Sequence, residues 1–300
     1  MKSSLFRPDI PGKPDVRRSL PAILEEAARQ LDRAGIENSR LEAEVLLAHL
    51  LKISRIELYT RWDEELPESV SRELQTLLSR RIGREPLAYI IGRKEFWSLC
   101  FMVAPGVLIP RPETEFVIEA ALRHAQDAVR IIDVGTGSGN IAVCLAQELP
   151  NARIYAVDIS EAALRVARRN AAYHQVIERI IFLQADMLSA FAPDIPSGFI
   201  DCIVSNPPYI SSAEISTLAP EVRVFEPRVA LEGGIDGLGC YRRLIHESTA
   251  ILKAGGRIIL EMGYGQKDAL VRELQSQGYE VQEIVVDYAG IDRVIAARLG

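Results

Sequence analysis

The sequence predicts an α/β fold in which a mostly parallel sheet is covered by helices on both faces. From Pro112 onward, apolar strand-like runs alternate with segments whose apolar residues recur at helical spacing, a pattern typical of parallel sheets. Only Tyr288-Ala289-Gly290-Ile291 separates the last two strands, which is too short for a helical crossover, so they should pair antiparallel. We expect seven strands, at 130–134, 153–158, 179–184, 199–205, 256–262, 279–287 and 292–299.

The chain before this region predicts a small helical bundle. Leu20-Pro21 opens a helix that Gly35 closes, and Pro67 opens another. Between them, Ser39 to Glu42 has the S-x-x-E pattern of a capping box, ahead of an apolar helix that runs to Leu51. The apolar stripe of the first helix comprises Ile23, Leu24, Ala27, Ala28 and Leu31, and that of the last comprises Val70, Leu74, Leu77 and Leu78. We expect these helices to pack together.

Four segments follow from these patterns. The polar, proline-containing residues 1–17 predict a flexible lead, and residues 18–84 the helical domain. Residues 85–110 alternate between apolar and polar, which favours a β-hairpin linker, and residues 111–300 form the α/β domain.

Composition limits the class of protein and its compartment. With 48% apolar and 25% charged residues, the chain has the make-up of a globular protein that can bury a full core. No apolar run approaches the roughly 20 residues of a membrane span, and the N-terminus lacks a signal-peptide core, so we expect a cytoplasmic protein with no membrane partner. The cysteines and histidines are scattered without metal-ligand spacing, so we predict reduced thiols and no metal.

A glycine-rich loop is the first candidate binding motif. The predicted strand 130–134 runs directly into Gly135-Thr136-Gly137-Ser138-Gly139-Asn140, and a helical pattern follows until Pro150. Strand, glycine loop and helix together favour nucleotide binding, because glycines let the backbone approach a ligand closely. Asn140 replaces the third glycine of the dinucleotide fingerprint, which fits a cofactor without a pyrophosphate. The next strand ends in Asp158, whose carboxylate can accept hydrogen bonds from both hydroxyls of a ribose.

A second motif, Asn206-Pro207-Pro208-Tyr209, follows the apolar strand 199–205. Asn206 offers a side-chain carbonyl oxygen, and the two prolines lack N–H groups, so the turn presents acceptors and resists rearrangement. Such a turn can accept both hydrogens of a planar –NH2 group while Tyr209 covers one face of it. Taken alone, the motif is equally typical of a proline-rich turn, but its place beside the glycine loop and Asp158 favours the functional interpretation.

These motifs resemble those of the S-adenosylmethionine-dependent methyltransferases with a Rossmann-like fold, and more narrowly those of the release factor glutamine methyltransferase family. The resemblance extends from about Ser19 to the C-terminus. Its most specific stretches lie at 85–92, 108–115, 206–209 and 225–228, followed by a Gly-Gly turn at 233–234. The resemblance implies methyl transfer from S-adenosylmethionine to the side-chain amide nitrogen of the glutamine in the Gly-Gly-Gln motif of class I peptide chain release factors.

The resemblance also implies roles for individual residues. Asn206 and the Pro207 carbonyl would grip the substrate amide, with Pro208 and Tyr209 beside it. Asp158 would bind the cofactor ribose, and Asn206 would also border the cofactor. The loop residues Gly135, Thr136, Gly137, Ser138 and Gly139 would line the methionine portion, while Asp186 and Met187 would contact the adenine. Arg111 and Glu226 lie in specific stretches, but their sequence does not separate ligand contact from structural bracing.

Charge bears on the choice of partner. Up to Glu85 the chain has 15 basic and 15 acidic residues of the total 35 and 41, so the remainder carries the whole net charge of −6. Enzymes that act on nucleic acid usually display a basic surface that neutralises phosphates. We therefore expect a protein substrate and no stable nucleic-acid binding. We also expect a monomer. The alternative is a nucleic-acid amino methyltransferase acting on adenine N6 or guanine N2, which needs the same two acceptors.

Overall fold

The computed structural model describes residues 17–191 and 198–300, and the chain divides into two compact units between Ile91 and Gly92. The predicted lead, residues 1–17, lies outside the described residues except for Arg17. Among the described residues, no helix is both long and apolar enough to cross a membrane. All four cysteines are free thiols, and Cys144 and Cys202 are buried.

The first unit is a helical bundle with a small strand pair. Its elements are β1 (Arg17–Ser19), α1 (Leu20–Arg33), α2 (Ser39–Leu51), α3 (Arg55–Thr60), β2 (Glu65–Pro67), α4 (Glu68–Ile82) and α5 (Leu87–Ile91), with β1 antiparallel to β2. Leu24, Leu31, Leu47, Leu74 and Leu78 are fully or almost fully buried in one apolar cluster. The predicted stripes of α1 and α4 therefore form a shared core, as their helical spacing indicated.

The predicted capping box of α2 is wrong. Ser39 is the first residue of the helix, and the residue before it, Asn38, adopts a left-handed conformation without a capping hydrogen bond from its side chain. The capping box is found in α3, where the Ser54 hydroxyl accepts from the Glu57 N–H and the Glu57 carboxylate accepts from the Ser54 N–H. The S-x-x-E pattern occurs at both places, but Ser54 is the extended residue just before its helix, whereas Ser39 already lies inside its helix.

The second unit begins with a hairpin and continues as the alternating region. Its first elements are β3 (Arg93–Phe96), β4 (Leu99–Met102), α6 (Glu115–His124), β5 (Arg130–Val134), α7 (Asn140–Glu148), β6 (Arg153–Asp158), α8 (Glu161–Tyr173) and β7 (Ile180–Gln184). The later ones are β8 (Ile200–Ser205), α9 (Pro220–Phe225), α10 (Gly239–Ser248), β9 (Leu252–Glu261), α11 (Lys267–Ser276), β10 (Tyr279–Val286) and β11 (Asp292–Leu299).

Seven strands form one sheet in the order β10-β11-β9-β8-β5-β6-β7. β11 pairs antiparallel with both β10 and β9, and the remaining neighbours are parallel. The prediction of seven strands with an antiparallel final hairpin is confirmed. The fifth predicted strand starts four residues early, at Leu252, because Leu252 already pairs with Ile200. The pairing with β8 then shifts register before Cys202, where β9 contains the left-handed Gly255.

The segment predicted as a hairpin linker contains both a helix and a hairpin. α5 occupies its start, and the β3–β4 hairpin packs within the second unit. The fully buried Asn170 of α8 holds this hairpin: its Oδ1 accepts from the Met102 N–H at 2.8 Å, and its Nδ2 donates to the Met102 carbonyl at 3.0 Å. The same Nδ2 also donates to the Ser138 carbonyl at 2.8 Å. One side chain thus ties the hairpin to the glycine loop.

Candidate active site

The candidate site lies at the carboxyl ends of the three central parallel strands. Val134 of β5 is in register with Val157 of β6 on one side and with Ser205 of β8 on the other. The residues that follow these three positions are Gly135, Asp158 and Asn206. The two predicted motifs therefore meet at one edge of the sheet, where the strand order reverses and ligands of open α/β sheets bind.

The glycine loop is tightly fixed to the neighbouring strand. Asp158 accepts from the Gly137 N–H through Oδ2 and from the Ser160 N–H through Oδ1, both at 2.8 Å. Burial raises the pKa of Asp158, and these N–H donors oppose that rise. Each carboxylate oxygen has a further lone pair, so the residue can still accept from ligand hydroxyls.

Two further residues define the shape of the loop. Asp133 is fully buried behind it and accepts from the Thr136 hydroxyl at 2.6 Å and from the Ala142 N–H at 3.1 Å. Burial raises the pKa of Asp133 to about 7. Gly139 has a left-handed backbone, and a Cβ there would lie 2.9 Å from the Cβ of Ala167. A side chain at this position would push α8 away from the start of α7.

A cavity of about 630 Å³ opens at these strand ends. Of the nine residues predicted to contact the cofactor, every one except Gly139 lines this cavity. The eight are Gly135, Thr136, Gly137, Ser138, Asp158, Asp186, Met187 and Asn206. Gly139 lies beneath the loop as the N-cap of α7. The volume is in the range of small-molecule sites, which combine apolar walls with a few convergent polar groups.

Asp186 and Met187 form the far side of the cavity. Asp186 Oδ2 accepts from Arg243 Nη1 at 2.6 Å, and the same guanidinium donates through Nε to Glu247 at 2.6 Å. Met187 has a left-handed backbone with φ of 52°, which is unusual for a residue with a side chain. The strained backbone turns Met187 into the cavity wall, next to the carboxylate that Arg243 holds.

The predicted contact of Asp186 with the adenine implies that replacing Arg243 with alanine weakens cofactor binding several-fold. Both partners of the Arg243–Asp186 pair are about half exposed, so the pair contributes no more than about 1 kcal/mol, equivalent to roughly 5-fold in affinity. Calorimetric titration with S-adenosylhomocysteine measures the change. Arg242→Ala is a matched control, because Arg242 forms a comparable pair with Asp236 away from Asp186. An equal loss in both variants would show that Asp186 needs no anchor.

In the predicted acceptor turn, the side-chain amide of Asn206 is held through its NH2 end. Asn206 Nδ2 donates to the hydroxyl of Thr114 at 3.0 Å. Across residues 17–191 and 198–300, neither the Asn206 Oδ1 nor the Pro207 carbonyl oxygen accepts a hydrogen bond. Both prolines of the turn line the cavity. The turn therefore offers two acceptor oxygens beside the glycine loop.

A glycine-rich segment and Gln266 brace this turn from behind. Gly233 donates its N–H to the Ile210 carbonyl at 2.8 Å, and Gln266 Nε2 donates to the Tyr209 carbonyl at 3.0 Å. A Cβ at Gly233 would lie 2.7 Å from the Pro208 carbonyl oxygen, so only glycine fits there. Sequence reasoning associated the turn at 233–234 with the site but did not identify Gln266, which lies outside the recognised stretches.

Tyr209 points away from the cavity that the other members of the motif line. Its hydroxyl donates to Glu261 Oε1 at 3.3 Å, and it is not among the described residues of the cavity wall. Burial, followed by the charge of Glu261, raises the pKa of Tyr209. Its predicted packing on the substrate amide stays a prediction.

Arg111 and Glu226, whose roles the sequence left undecided, form an ion pair. Glu226 is buried and accepts from the Ile109 N–H at 3.1 Å and from Arg111 Nη2 at 2.5 Å. It therefore braces the segment before α6 against the loop after α9. Arg111 also lines the cavity, so it can contact a ligand as well.

Comparison with known proteins agrees with this geometry. The family model described as PrmC N-terminal domain matches residues 22–92, and a methyltransferase domain model matches residues 125–289, more than half of the chain. A release factor glutamine methyltransferase from Geobacter sulfurreducens is 41% identical over 288 residues, covering 96% of this chain and 99% of that protein. The chain belongs to the release factor glutamine methyltransferase family.

Other relatives agree with this assignment. The release factor glutamine methyltransferase of Moorella thermoacetica is 43% identical over 283 residues, covering 93% of this chain and 98% of that protein. A solved methyltransferase structure from Pyrococcus furiosus, 18% identical, superposes with a TM-score of 0.51 over 76% of this chain and 98% of its own. The solved structure supports the fold, and the Rossmann-like methyltransferase architecture predicted from sequence is confirmed.

Proposed function

We propose that this enzyme transfers a methyl group from S-adenosylmethionine to the side-chain amide nitrogen of the glutamine in the Gly-Gly-Gln motif of class I release factors. The observation that carries the proposal is the pair of acceptors next to the glycine loop, Asn206 Oδ1 and the Pro207 carbonyl, which accept no hydrogen bond from the described part of the chain. The names of the full-length relatives support the same substrate. These names do not support the nucleic-acid alternative.

The residues around the cavity fit this cofactor. Asp158 keeps lone pairs for ribose hydroxyls, and the backbone of Gly135 and Gly137 leaves room for the methionine portion. Asp186 and Met187 present a carboxylate and an apolar side chain where the adenine would lie. When bound, the cofactor supplies an electrophilic methyl group carried by a sulfonium.

The chain's own residues would overcome the poor nucleophilicity of an amide. An amide nitrogen shares its lone pair with its carbonyl, so it reacts only when it is positioned and its developing positive charge is stabilised. Asn206 Oδ1 and the Pro207 oxygen would accept the two N–H hydrogens, fix the nitrogen in line with the methyl carbon and favour that charge. The new N–C bond would replace the C–S bond of the sulfonium, and the nitrogen, then acidic, would lose its proton to water. No general base is required at the start.

Transfer of labelled methyl groups tests the proposal directly. The protein is incubated with methyl-labelled S-adenosylmethionine and a bacterial release factor, or the same factor with its Gly-Gly-Gln glutamine changed to alanine. Label should enter only the factor that has the glutamine. Label in added DNA or RNA, with none in the factor, would establish the nucleic-acid alternative instead.

The N-terminal unit would dock the release factor. On its surface, Tyr59 and Trp62 stack with ring centroids 5.8 Å apart, and the neighbouring Ile56 is 76% exposed. Exposed aromatic residues are typical of the central contacts of protein interfaces.

Acting on a translation factor, the enzyme would work in the cytoplasm. A monomer suffices for the reaction, because the described second unit contains every proposed site residue.

Changing Tyr59 and Trp62 together to alanine should raise KM for the release factor by roughly 30-fold, since two aromatic contacts of about 1 kcal/mol each would be lost. The kcat at saturating factor should be unaffected, because the cavity lies in the other unit. Steady-state kinetics measures both. Tyr173→Ala, which removes an exposed tyrosine from α8, is the control. An unchanged KM in the double variant would exclude this surface.

A further inference from the structure

Glu261 is a buried carboxylate that none of the proposed catalytic steps uses. It is the last residue of β9 and is 1% exposed. Its Oε2 accepts from the Thr114 hydroxyl at 2.6 Å, and its Oε1 accepts from the Tyr209 hydroxyl at 3.3 Å. Thr114 in turn contacts Asn206 at 3.0 Å and lines the cavity. A continuous chain of hydrogen bonds therefore runs from β9 to the acceptor turn.

The chain of hydrogen bonds has a direction. A hydroxyl has one hydrogen, and the Thr114 hydroxyl donates it to the Glu261 carboxylate, so toward Asn206 this oxygen can only accept. The end of the Asn206 amide that faces Thr114 must then be the NH2 group. The opposite end, Oδ1, is turned toward the other side as an acceptor.

We infer that Glu261 is a positioning residue which, through Thr114, holds the Asn206 amide with its oxygen toward the substrate. The inference rests on the proposed function, in which that oxygen accepts a hydrogen from the glutamine amide. A rotation of the Asn206 amide by half a turn would place its NH2 against the substrate NH2. Two donors would then face each other, and one of the two acceptors would be lost.

The protonation state of Glu261 decides whether this hydrogen-bond direction is kept. Burial raises the pKa of Glu261 to about 7, the hydroxyls of Thr114 and Tyr209 lower it, the charge of Glu113 raises it and that of Arg293 lowers it. A protonated Glu261 can donate to the Thr114 oxygen, which frees the Thr114 hydrogen for Asn206 Oδ1 and reverses the amide. The rate of methyl transfer should therefore be at its maximum above this pKa and should decrease as the pH falls through it.

A pair of variants at Thr114 separates the hydrogen-bonding role from packing. Valine has the shape of threonine without the hydroxyl, whereas serine keeps the hydroxyl. Single-turnover methylation of the release factor at saturating cofactor should fall by about 10- to 100-fold in Thr114→Val. This is less than the roughly 100-fold or more that follows the loss of a group in direct contact with the reacting atoms, because Thr114 acts only through Asn206. Thr114→Ser should retain most of the rate. The affinity for S-adenosylhomocysteine, measured by calorimetry, should be similar in both.

A pH series provides the second readout. The wild-type rate should rise with pH between about 6 and about 8.5, and Glu261→Gln, which has no titrating group at this position, should lose the part of the rise due to Glu261. Asp133 also has a pKa of about 7. Any acid limb that survives in Glu261→Gln belongs to Asp133 or the substrate.

Each outcome decides between the alternatives. Equal rates in Thr114→Val and Thr114→Ser would overturn the inference, as would an unchanged pH profile in Glu261→Gln. If Thr114→Val does not fold, the pH profile of Glu261→Gln decides alone. A wild-type enzyme that methylates no release factor would refute the proposed function itself, whereas an active wild type with a fully active Thr114→Val would refute only the positioning role.

Discussion

Replacing Asn206 with alanine should lower methyl transfer to the release factor by about 100-fold or more, while the affinity for S-adenosylhomocysteine changes little. The loss is of the size seen when one preorganised hydrogen-bonding group is removed from an active site. Asn206 Oδ1 is one of only two proposed acceptors, and alanine also leaves the Thr114 hydroxyl without its amide partner. Single-turnover methylation and calorimetric titration measure the two quantities.

The control for this variant is Asn151→Ala. Asn151 is an exposed asparagine in the turn before β6, at the opposite edge of the sheet from the cavity. Its removal should leave both rate and affinity unchanged. If Asn206→Ala methylates at the wild-type rate, the turn has a structural role only, and the proposed grip on the amide is wrong.

Replacing Asp158 with alanine should weaken cofactor binding by about 100-fold, or roughly 2.7 kcal/mol. Two effects combine. The ribose hydroxyls lose a charged acceptor, and the Gly137 N–H loses its partner at 2.8 Å, which loosens the glycine loop. Calorimetric titration with S-adenosylhomocysteine measures the combined effect on affinity.

Two companion variants test whether the loss is specific to the Asp158 carboxylate. Asp158→Asn keeps one acceptor oxygen and should lose less affinity than Asp158→Ala. Asp127→Ala removes an exposed carboxylate of similar size from the turn before β5 and should bind normally. Wild-type affinity in Asp158→Ala would show that the ribose lies elsewhere in the cavity.

The sheet could be predicted from sequence because its strands are apolar runs of a length that only buried strands have. The short connection at 288–291 predicted the antiparallel hairpin at the end of this sheet, because no helix fits in it. The candidate site followed from the fold, since Gly135 and Asn206 come directly after a strand, Asp158 ends one, and parallel strands bring those ends together. These predictions depend on local patterns and on one rule of topology.

Features that depend on distant partners were not predicted. The hairpin between β3 and β4 turns at Trp97 and Ser98, both with left-handed backbones, where sequence reasoning expects glycine or asparagine. Its turn is held instead by Glu115, which accepts from the Trp97 N–H at 2.8 Å. Eighteen positions separate these two residues in the chain.

The network behind Asn206 was missed for the same reason. Thr114 and Glu261 are 147 positions apart, and nothing local marks either as a partner of the acceptor turn. One signal was present: Glu261 is an acidic residue at the carboxyl end of a buried apolar strand, as Asp158 is. A charged residue in that position is costly unless it is paired, so it deserves a functional explanation.

A crystal structure of the enzyme with S-adenosylhomocysteine and a peptide containing Gly-Gly-Gln would show which groups bind the glutamine amide. We expect the amide nitrogen to lie about 3 Å from both Asn206 Oδ1 and the Pro207 carbonyl oxygen, with the cofactor sulfur on its open face. A glutamine amide nitrogen bound by other groups, with these two oxygens facing water, would contradict this expectation.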